Sequence, residues 1–374
     1  MEKQSITGKV SEKRVARKRR NFIIISIEIF MLIMMVGALW FVTKFTDQEE
    51  GVKRVEISED NVIINEGVKD KVVTEGDSDL DVHQEPAYRT IALFGLDSTT
   101  GELFQGTRSD TIMVASINND TKEVKLMSVY RDTYLNLGND TYNKCNTAYA
   151  KGGALQAINM LNMNLDLDIT DFVAVGFKGV MDTVNAVGGV NIEVDEAELE
   201  HINNYQICMA EDMKIDYEPV TETGYQCLDG LQAVAYCRIR KTAGDDYKRT
   251  ERQREVLQAI LGEAKDLDVA SITKLADSIF ADFYTSVDLE EILTLLSDLG
   301  SYTLIDEGGF PTLKYRANAT IGGNVGDSVI CTDLEAAVMD FHERFFGEKD
   351  YKVSQALTQI STQINVNTAP YLNN

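Results

Sequence analysis

Residues 22–42 are 21 mostly apolar positions in succession, and this run constrains the chain more than any other feature. A helix needs about 20 such residues to cross the hydrocarbon core of a bilayer. Glu28 is the one charge inside the run, near its basic end, where it can snorkel or pair with a neighbour. Lys13, Arg14, Arg17, Lys18, Arg19 and Arg20 crowd the segment before it. Basic flanks stay cytoplasmic. A cleaved signal peptide is the competing reading, but the run is too long for one and no small-x-small cleavage site follows. The expectation is a cytoplasmic basic tail over 1–21, a single transmembrane helix over 22–43 and an extracellular remainder anchored to the cell membrane.

Charge divides the chain at the same place. The first 44 residues carry nine Lys/Arg against three Asp/Glu. The rest holds the other 27 basic and 57 acidic residues of the chain's 36 and 60. So acidic a body speaks against nucleic acid as a partner, because a phosphate backbone needs a basic footprint. The three histidines, His83, His201 and His342, lie away from the charged set described below. That argues against a histidine-built zinc site or a Ser-His-Asp or Cys-His hydrolase. No Gly-x-x-x-x-Gly-Lys-Ser/Thr phosphate loop occurs.

Residues 44–87 are acidic, poor in aromatics and without periodicity, and read as an extracytoplasmic linker. Folding signals begin at Arg89. Residues 90–96 read as a buried strand. Residues 111–117 and 123–129 alternate about the turn residues 118–122, the pattern of a hairpin. Helices are expected over 154–161, after Gly152-Gly153, and over 178–187, stopped by Gly188-Gly189. Strands are expected over 172–177 and 190–194. Asp229 is placed to cap a short helix over 231–236, and a longer helix spans 248–265. Further helices are expected over 270–281 and 289–300, and a strand over 302–306. The capping-box pattern Thr332-Asp333-Leu334-Glu335 opens a last helix to Phe346. This order predicts a three-layer α/β/α sandwich with a central mixed sheet, helices on both faces. The catalytic domain is expected over 88–348, with a loosely held tail over 349–374.

Two sets of charges recur beside the apolar runs. Upstream stand Asp97, Arg108, Asp110 and Arg131; downstream stand Arg238, Arg240, Asp246, Arg249, Arg252 and Gln253. Arg249, Arg252 and Gln253 fall at i, i+3 and i+4, on one helix face. Arginine matches phosphate oxygens two at a time, and aspartate supplies the hard oxygens that Mg²⁺ takes. The pattern fits a phosphate-rich, metal-bound substrate. Taken singly, Asp97 also reads as a strand-ending turn residue, and Arg249 and Arg252 as a solvated helix face. Of the five cysteines, Cys208 and Cys227 flank a polar insertion and are the expected disulfide, worth about 3 kcal/mol for a loop of that size. Cys237 reads as a buried small side chain.

The ordered motifs resemble the LytR-CpsA-Psr family of cell-wall glycopolymer ligases over about residues 88–265. The resemblance rests on Gly95-Leu96-Asp97 followed by Thr107-Arg108-Ser109-Asp110-Thr111, and on Ser128-Val129-Tyr130-Arg131-Asp132-Thr133. Asn143-Lys144-Cys145-Asn146 with Gly152-Gly153, Gly188-Gly189-Val190 and Leu228-Asp229-Gly230 follow in order, then Arg238-Ile239-Arg240, Asp246, Arg249, Arg252 and Gln253. Two departures stand out: Tyr130 where the family usually has proline, and Ser98-Thr99-Thr100 where a basic residue often follows the aspartate. The resemblance implies Mg²⁺-dependent transfer of a phosphoglycan from a polyprenyl-pyrophosphate carrier to peptidoglycan. Asp97 and Asp110 would hold the metal, with Arg131 as a further catalytic group. Arg108, Lys144, Arg238, Arg240, Asp246, Arg249, Arg252 and Gln253 would bind substrate. A pyrophosphate hydrolase would use the same residues. A non-catalytic glycan-binding anchor would have little use for paired aspartates, and the cytoplasmic tail is too short for a DNA-binding regulator.

Overall fold

The structure, a computed structural model, describes residues 53–68, 88–98, 103–240, 245–267, 271–272, 275–276 and 282–372. The expected transmembrane helix and cytoplasmic tail lie outside these residues. Among the described residues no helix is long and apolar enough to cross a membrane. Strands β1 (Lys53–Arg54), β2 (Tyr88–Leu96), β3 (Ser109–Asn118) and β4 (Glu123–Val129) come first. The short pair β5 (Tyr134–Asn136) and β6 (Tyr142–Lys144) precedes helix α1 (Thr147–Leu165). Then follow β7 (Asp171–Val175), α2 (Phe177–Ala186), β8 (Val190–Val194), α3 (Glu196–Met213), β9 (Gly224–Leu228), α4 (Gly230–Arg238) and α5 (Asp245–Ala264). The last part holds β10 (Phe283–Thr285), α6 (Leu289–Ser297), β11 (Thr303–Phe310), β12 (Arg316–Ile321), β13 (Gly326–Cys331), α7 (Leu334–Phe346) and α8 (Gln355–Leu372).

A seven-stranded mixed sheet runs in the order β1-β10-β7-β2-β3-β4-β11. β2, β3 and β4 pair antiparallel, while β7 joins β2 and β11 joins β4 in parallel. The β3–β4 turn is closed by Asn118, whose side chain accepts from the N–H groups of Asp120 and Thr121. Period-two alternation sends the side chains of β2 to opposite faces. Ala92, Phe94 and Leu96 join a core with α1, α7 and α8. On the other face Ile91 and Leu93 meet α6, and Leu93 also meets Leu257 of α5. Helices therefore flank the sheet on both faces, as the alternating order of elements predicts.

Several expectations are corrected. Part of the acidic linker belongs to the folded body. β1 adds to β10, Val55, Ile57 and Val62 pack against the core, and the Ile63 N–H donates to Asn159 Oδ1 at 2.8 Å. The tail expected to be loose forms α8, with Leu357, Ile360 and Ile364 fully or nearly fully buried. Asp333, not Thr332, caps α7, accepting from the Ala336 N–H. All five cysteines are free, Cys208 and Cys227 included. The insertion between those two is closed instead by Asn203, whose amide donates to Val220 O at 2.8 Å and accepts from Val220 N at 2.9 Å. Cys227 turns toward the α2–β8 loop, its Sγ 3.7 Å from Gly188 O. Cys237 is half-buried by its residue surface, and burial pushes its thiol up to about 12.

Candidate active site

The site starts from an irregularity between β2 and β3. Gly95 pairs with Thr111 and Leu96 with Ser109, which leaves Asp110 as the extra residue of a bulge. A bulge breaks the alternation and re-aims a side chain at the sheet's end. Gly95 permits the close approach, since a Cβ there would stand 2.8 Å from that of Thr111.

Three arginines from three segments converge on the Asp110 carboxylate. Arg131, two residues beyond β4, donates to Oδ1 at 2.6 Å. Arg240, just after α4, reaches Oδ2 at 3.0 Å, and Arg249, in the second turn of α5, reaches it at 2.7 Å. The Asp110 and Arg249 side chains are 12% and 5% exposed, so that pair is little screened by water. Asp246, one turn before Arg249, holds Oδ1 at 3.8, 3.7 and 3.9 Å from Arg131, Arg240 and Arg249. Lys144 pairs with Asp132 at 3.1 Å, and Asp132 lies 3.5 Å from Arg131. Four cations thus face three carboxylates in one pocket of a chain whose net charge is −24.

Burial alone would raise the Asp110 carboxyl, but Arg249 and Arg131 beside it reverse that and hold it below the ordinary carboxylate range. Burial lowers the Arg249 guanidinium and Arg240 and Arg131 add to this, against Asp110. It stays charged at any biological pH. For Arg131 burial is outweighed by Asp110, Asp246 and Asp132, and its guanidinium is raised. The arrangement is not self-satisfied. Arg131 Nε, Arg249 Nε and Asp246 Oδ1 are buried without a hydrogen-bond partner. Buried donors left unpaired are costly, and here they belong to side chains gathered in a cationic pocket. That is chemistry suited to a multivalent oxyanion.

The remaining expected residues divide. Asp97 and Arg108 flank the bulge, their backbones joined at 3.4 Å from Asp97 N to Arg108 O; both are exposed and neither makes an ion pair among the described residues. Gln253 is half-buried on α5. Arg238 is not drawn to Asp110; its guanidinium lies over Phe177 at 4.6 Å and Tyr205 at 5.5 Å. Arg252 is also elsewhere. It is 1% exposed, donates to Glu198 Oε1 at 2.7 Å and to Ile239 O at 3.2 Å, and so ties α5 to α3. The structure thus places it against Glu198 and not at Asp110: helical spacing gave the face, and the unread helix α3 supplies a buried counter-ion. The Asp195-x-x-Glu198 capping box would have disclosed that helix. Arg254 was missed as well. Buried, it donates to Asp306 Oδ1 at 2.6 Å and Ser128 Oγ at 3.1 Å, pinning α5 to β11 and β4. Among the described residues no group of three or more His, Cys, Asp or Glu side chains forms a metal cluster; the carboxylates at the bulge are Asp97 and Asp110.

The LytR_cpsA_psr family model matches residues 52–321. The teichoic acid transferase TagU of Enterococcus faecalis, named a polyisoprenyl-teichoic acid–peptidoglycan transferase, is 32% identical over 56% of this chain and 59% of its own length. Biofilm regulatory protein A of Streptococcus mutans is 27% identical over 69% of each chain. The chain thus spans about three fifths to two thirds of these curated relatives. A structure of YwtF (TagT), a Bacillus subtilis protein, with bound octaprenyl pyrophosphate lipid has a similar fold, with a TM-score of 0.52 at 22% identity over 71% of this chain and 93% of that one. The ordered motifs, the mixed sheet and a match over most of the folded body agree: the chain belongs to the LytR_cpsA_psr family.

Proposed function

We propose that this chain is a Mg²⁺-dependent phosphotransferase that moves a phosphoglycan, such as a teichoic acid or capsule polymer, from a polyprenyl-pyrophosphate carrier to peptidoglycan. The observation that carries this is the Asp110 pocket: three arginines on one carboxylate, two of them with a buried Nε that has no hydrogen-bond partner. The transferase names of relatives such as TagU and the pyrophosphate lipid bound by YwtF (TagT) support it. Asp97 and Asp110 fit Mg²⁺, which is commonly held by one or two carboxylates together with substrate phosphates; Asp97 is exposed with no ion pair among the described residues, and both sit at adjoining strand ends. When bound, the metal would supply further neutralisation of the pyrophosphate oxygens.

Arg131, Arg240 and Arg249 grip those oxygens, Lys144 and Arg108 flank them, and Gln253 offers a neutral donor. A sugar hydroxyl of peptidoglycan attacks the phosphorus that bears the glycan. A new P–O bond forms, the P–O bond to the lipid phosphate breaks, the hydroxyl proton is released, and polyprenyl monophosphate leaves. Fixed guanidiniums stabilise charge that develops in transfer without reorganising at that moment. The apolar segment 22–43 would anchor the enzyme at the membrane that holds its lipid substrate, with the pocket outside the cell. The test is release of polyprenyl monophosphate from a polyprenyl-pyrophosphate glycan, with and without Mg²⁺ and peptidoglycan. Metal-dependent release that Asp110→Ala abolishes is expected; release unchanged in that variant would end the proposal. Release without peptidoglycan would mark a hydrolase.

A further inference from the structure

Beside the arginine pocket stand three side chains outside the set of ion pairs. The Arg316 guanidinium, from β12, lies 3.6 Å from the centre of the Tyr247 ring and 5.2 Å from that of Tyr130. It also donates to Tyr130 Oη at 2.9 Å. The two rings meet edge to face, 4.7 Å apart at 84°, and Tyr247 Oη donates to Asn318 Oδ1 at 2.6 Å. All three are partly buried. Tyr130 immediately precedes Arg131. Tyr247 follows Asp246 and stands two residues before Arg249. The stack therefore joins two of the three segments whose arginines meet at Asp110, those of Arg131 and Arg249, and a strand far along the chain makes the joint.

The same hairpin grips the Arg131 loop by its backbone. The Val329 N–H donates to Asp132 O at 2.9 Å, and Thr133 bridges to Val329. On its other side the Tyr130 ring lies where a Cβ on Gly309 would overlap it, so the ring is seated in a fitted space. A mechanical hold has a purpose here. Arg131, Arg240 and Arg249 repel one another, and the Asp110 carboxylate alone cannot fix their spacing against a competing anion. Groups that bind a transition state act best when already in place. A guanidinium stacked on a ring and bonded to a second ring's hydroxyl has one allowed orientation, unlike a flexible ammonium.

We propose that Arg316 is a positioning residue: through Tyr130 and Tyr247 it fixes the Arg131 loop to the first turn of α5 and so presets the spacing of the anion-binding arginines. The proposal rests on the phosphate reading of that pocket. It is tested on the full-length chain in detergent, with inorganic pyrophosphate as the probe, by calorimetric affinity and by hydrogen exchange at residues 130–133 and 245–250. Arg316→Ala is expected to weaken pyrophosphate on the order of tenfold and to speed exchange in both segments. Arg316→Lys keeps the charge but neither the planar stack nor the fork, and should stay weakened. Tyr247→Phe keeps the stack and loses only the Asn318 bond, so it should stay within about twofold of wild type. Wild-type affinity and exchange in Arg316→Ala, or full rescue by lysine, would overturn the clamp. If Arg316→Ala does not fold, the lysine and phenylalanine variants decide. Absence of pyrophosphate binding by the wild type would refute the phosphate reading, and exchange alone would then judge the clamp.

Discussion

Asp110 is the residue on which the pocket balances. It neutralises guanidiniums that would otherwise be buried together, and removing one partner of a buried ion pair leaves the others uncompensated. Asp110→Asn should cost about 3 kcal/mol at neutral pH. The pH dependence has a definite sign. The folded carboxyl is held below its ordinary 3.8, so its stabilisation is fully present above that value. It is lost as pH falls below 3.8 toward the lower folded value. The difference in melting temperature between wild type and Asp110→Asn should therefore hold from pH 7 to about pH 5 and shrink on acidification to pH 2.5. A constant gap over that whole range would remove Asp110 as the linked group. At this scale the sequence was informative where charge was unusual: Asp110, Arg131, Arg240 and Arg249 do meet. It was uninformative where the partner lay on the unread helix α3, as for Arg252 with Glu198 and Arg238 with Tyr205.

Among the elements, α1 shows how two glycines set a shape. The helix is broken at Gly152 and Gly153, and Gly153 takes φ +66°, ψ −158°, a region closed to other residues. A Cβ there would also stand 2.9 Å from Phe104 O. The break lets the first turn carry Tyr149 inward, where its hydroxyl donates to Leu103 O at 2.6 Å. Gly153→Ala should destabilise by about 2 kcal/mol and lower the melting temperature by several degrees. Gly152→Ala would crowd the Gln156 side chain, its Cβ included at 2.7 Å, but Gly152 sits at φ −139°, which any residue adopts, so the variant should cost less. Equal melting curves for the two variants would contradict this account. The glycine pair read from sequence as a helix start; it is a kink, because the turn before it is helical too. The β12–β13 hairpin went unread although Gly322-Gly323-Asn324 between two alternating runs carried a turn signal. In α8 the apolar stripe Leu357, Ile360, Ile364 was masked by the Gln, Thr and Asn residues around it.

For the molecule as a whole, the core on the α1 face draws on both ends of the folded body. Ala92, Phe94 and Leu96 of β2 share it with Phe341 and Phe345 of α7 and with Leu357, Ile360 and Ile364 of α8. Each buried aliphatic side chain contributes about 1.5–3 kcal/mol, so the three on α8 together rival the margin by which a domain stays folded. A chain ending at residue 354 should lose near-ultraviolet circular dichroism and bind a hydrophobic dye; a wild-type melting curve would show α8 to be dispensable. The central β2–β3–β4 meander was legible because its pairings are local. The outer strands β1, β10 and β11 are placed by partners far off in sequence, which no local pattern records. That late closure has a consequence for how the protein is made. β4 is synthesised about two hundred residues ahead of α7, an interval on the order of ten to forty seconds at ordinary translation rates. For that time the apolar underside of the nascent sheet has α1 against it but lacks the part of its cover that α7 and α8 supply, and that part stays open to aggregation or to a chaperone. A ribosomal pause between residues 130 and 334 should lower the yield of native protein more than the same pause placed after residue 364.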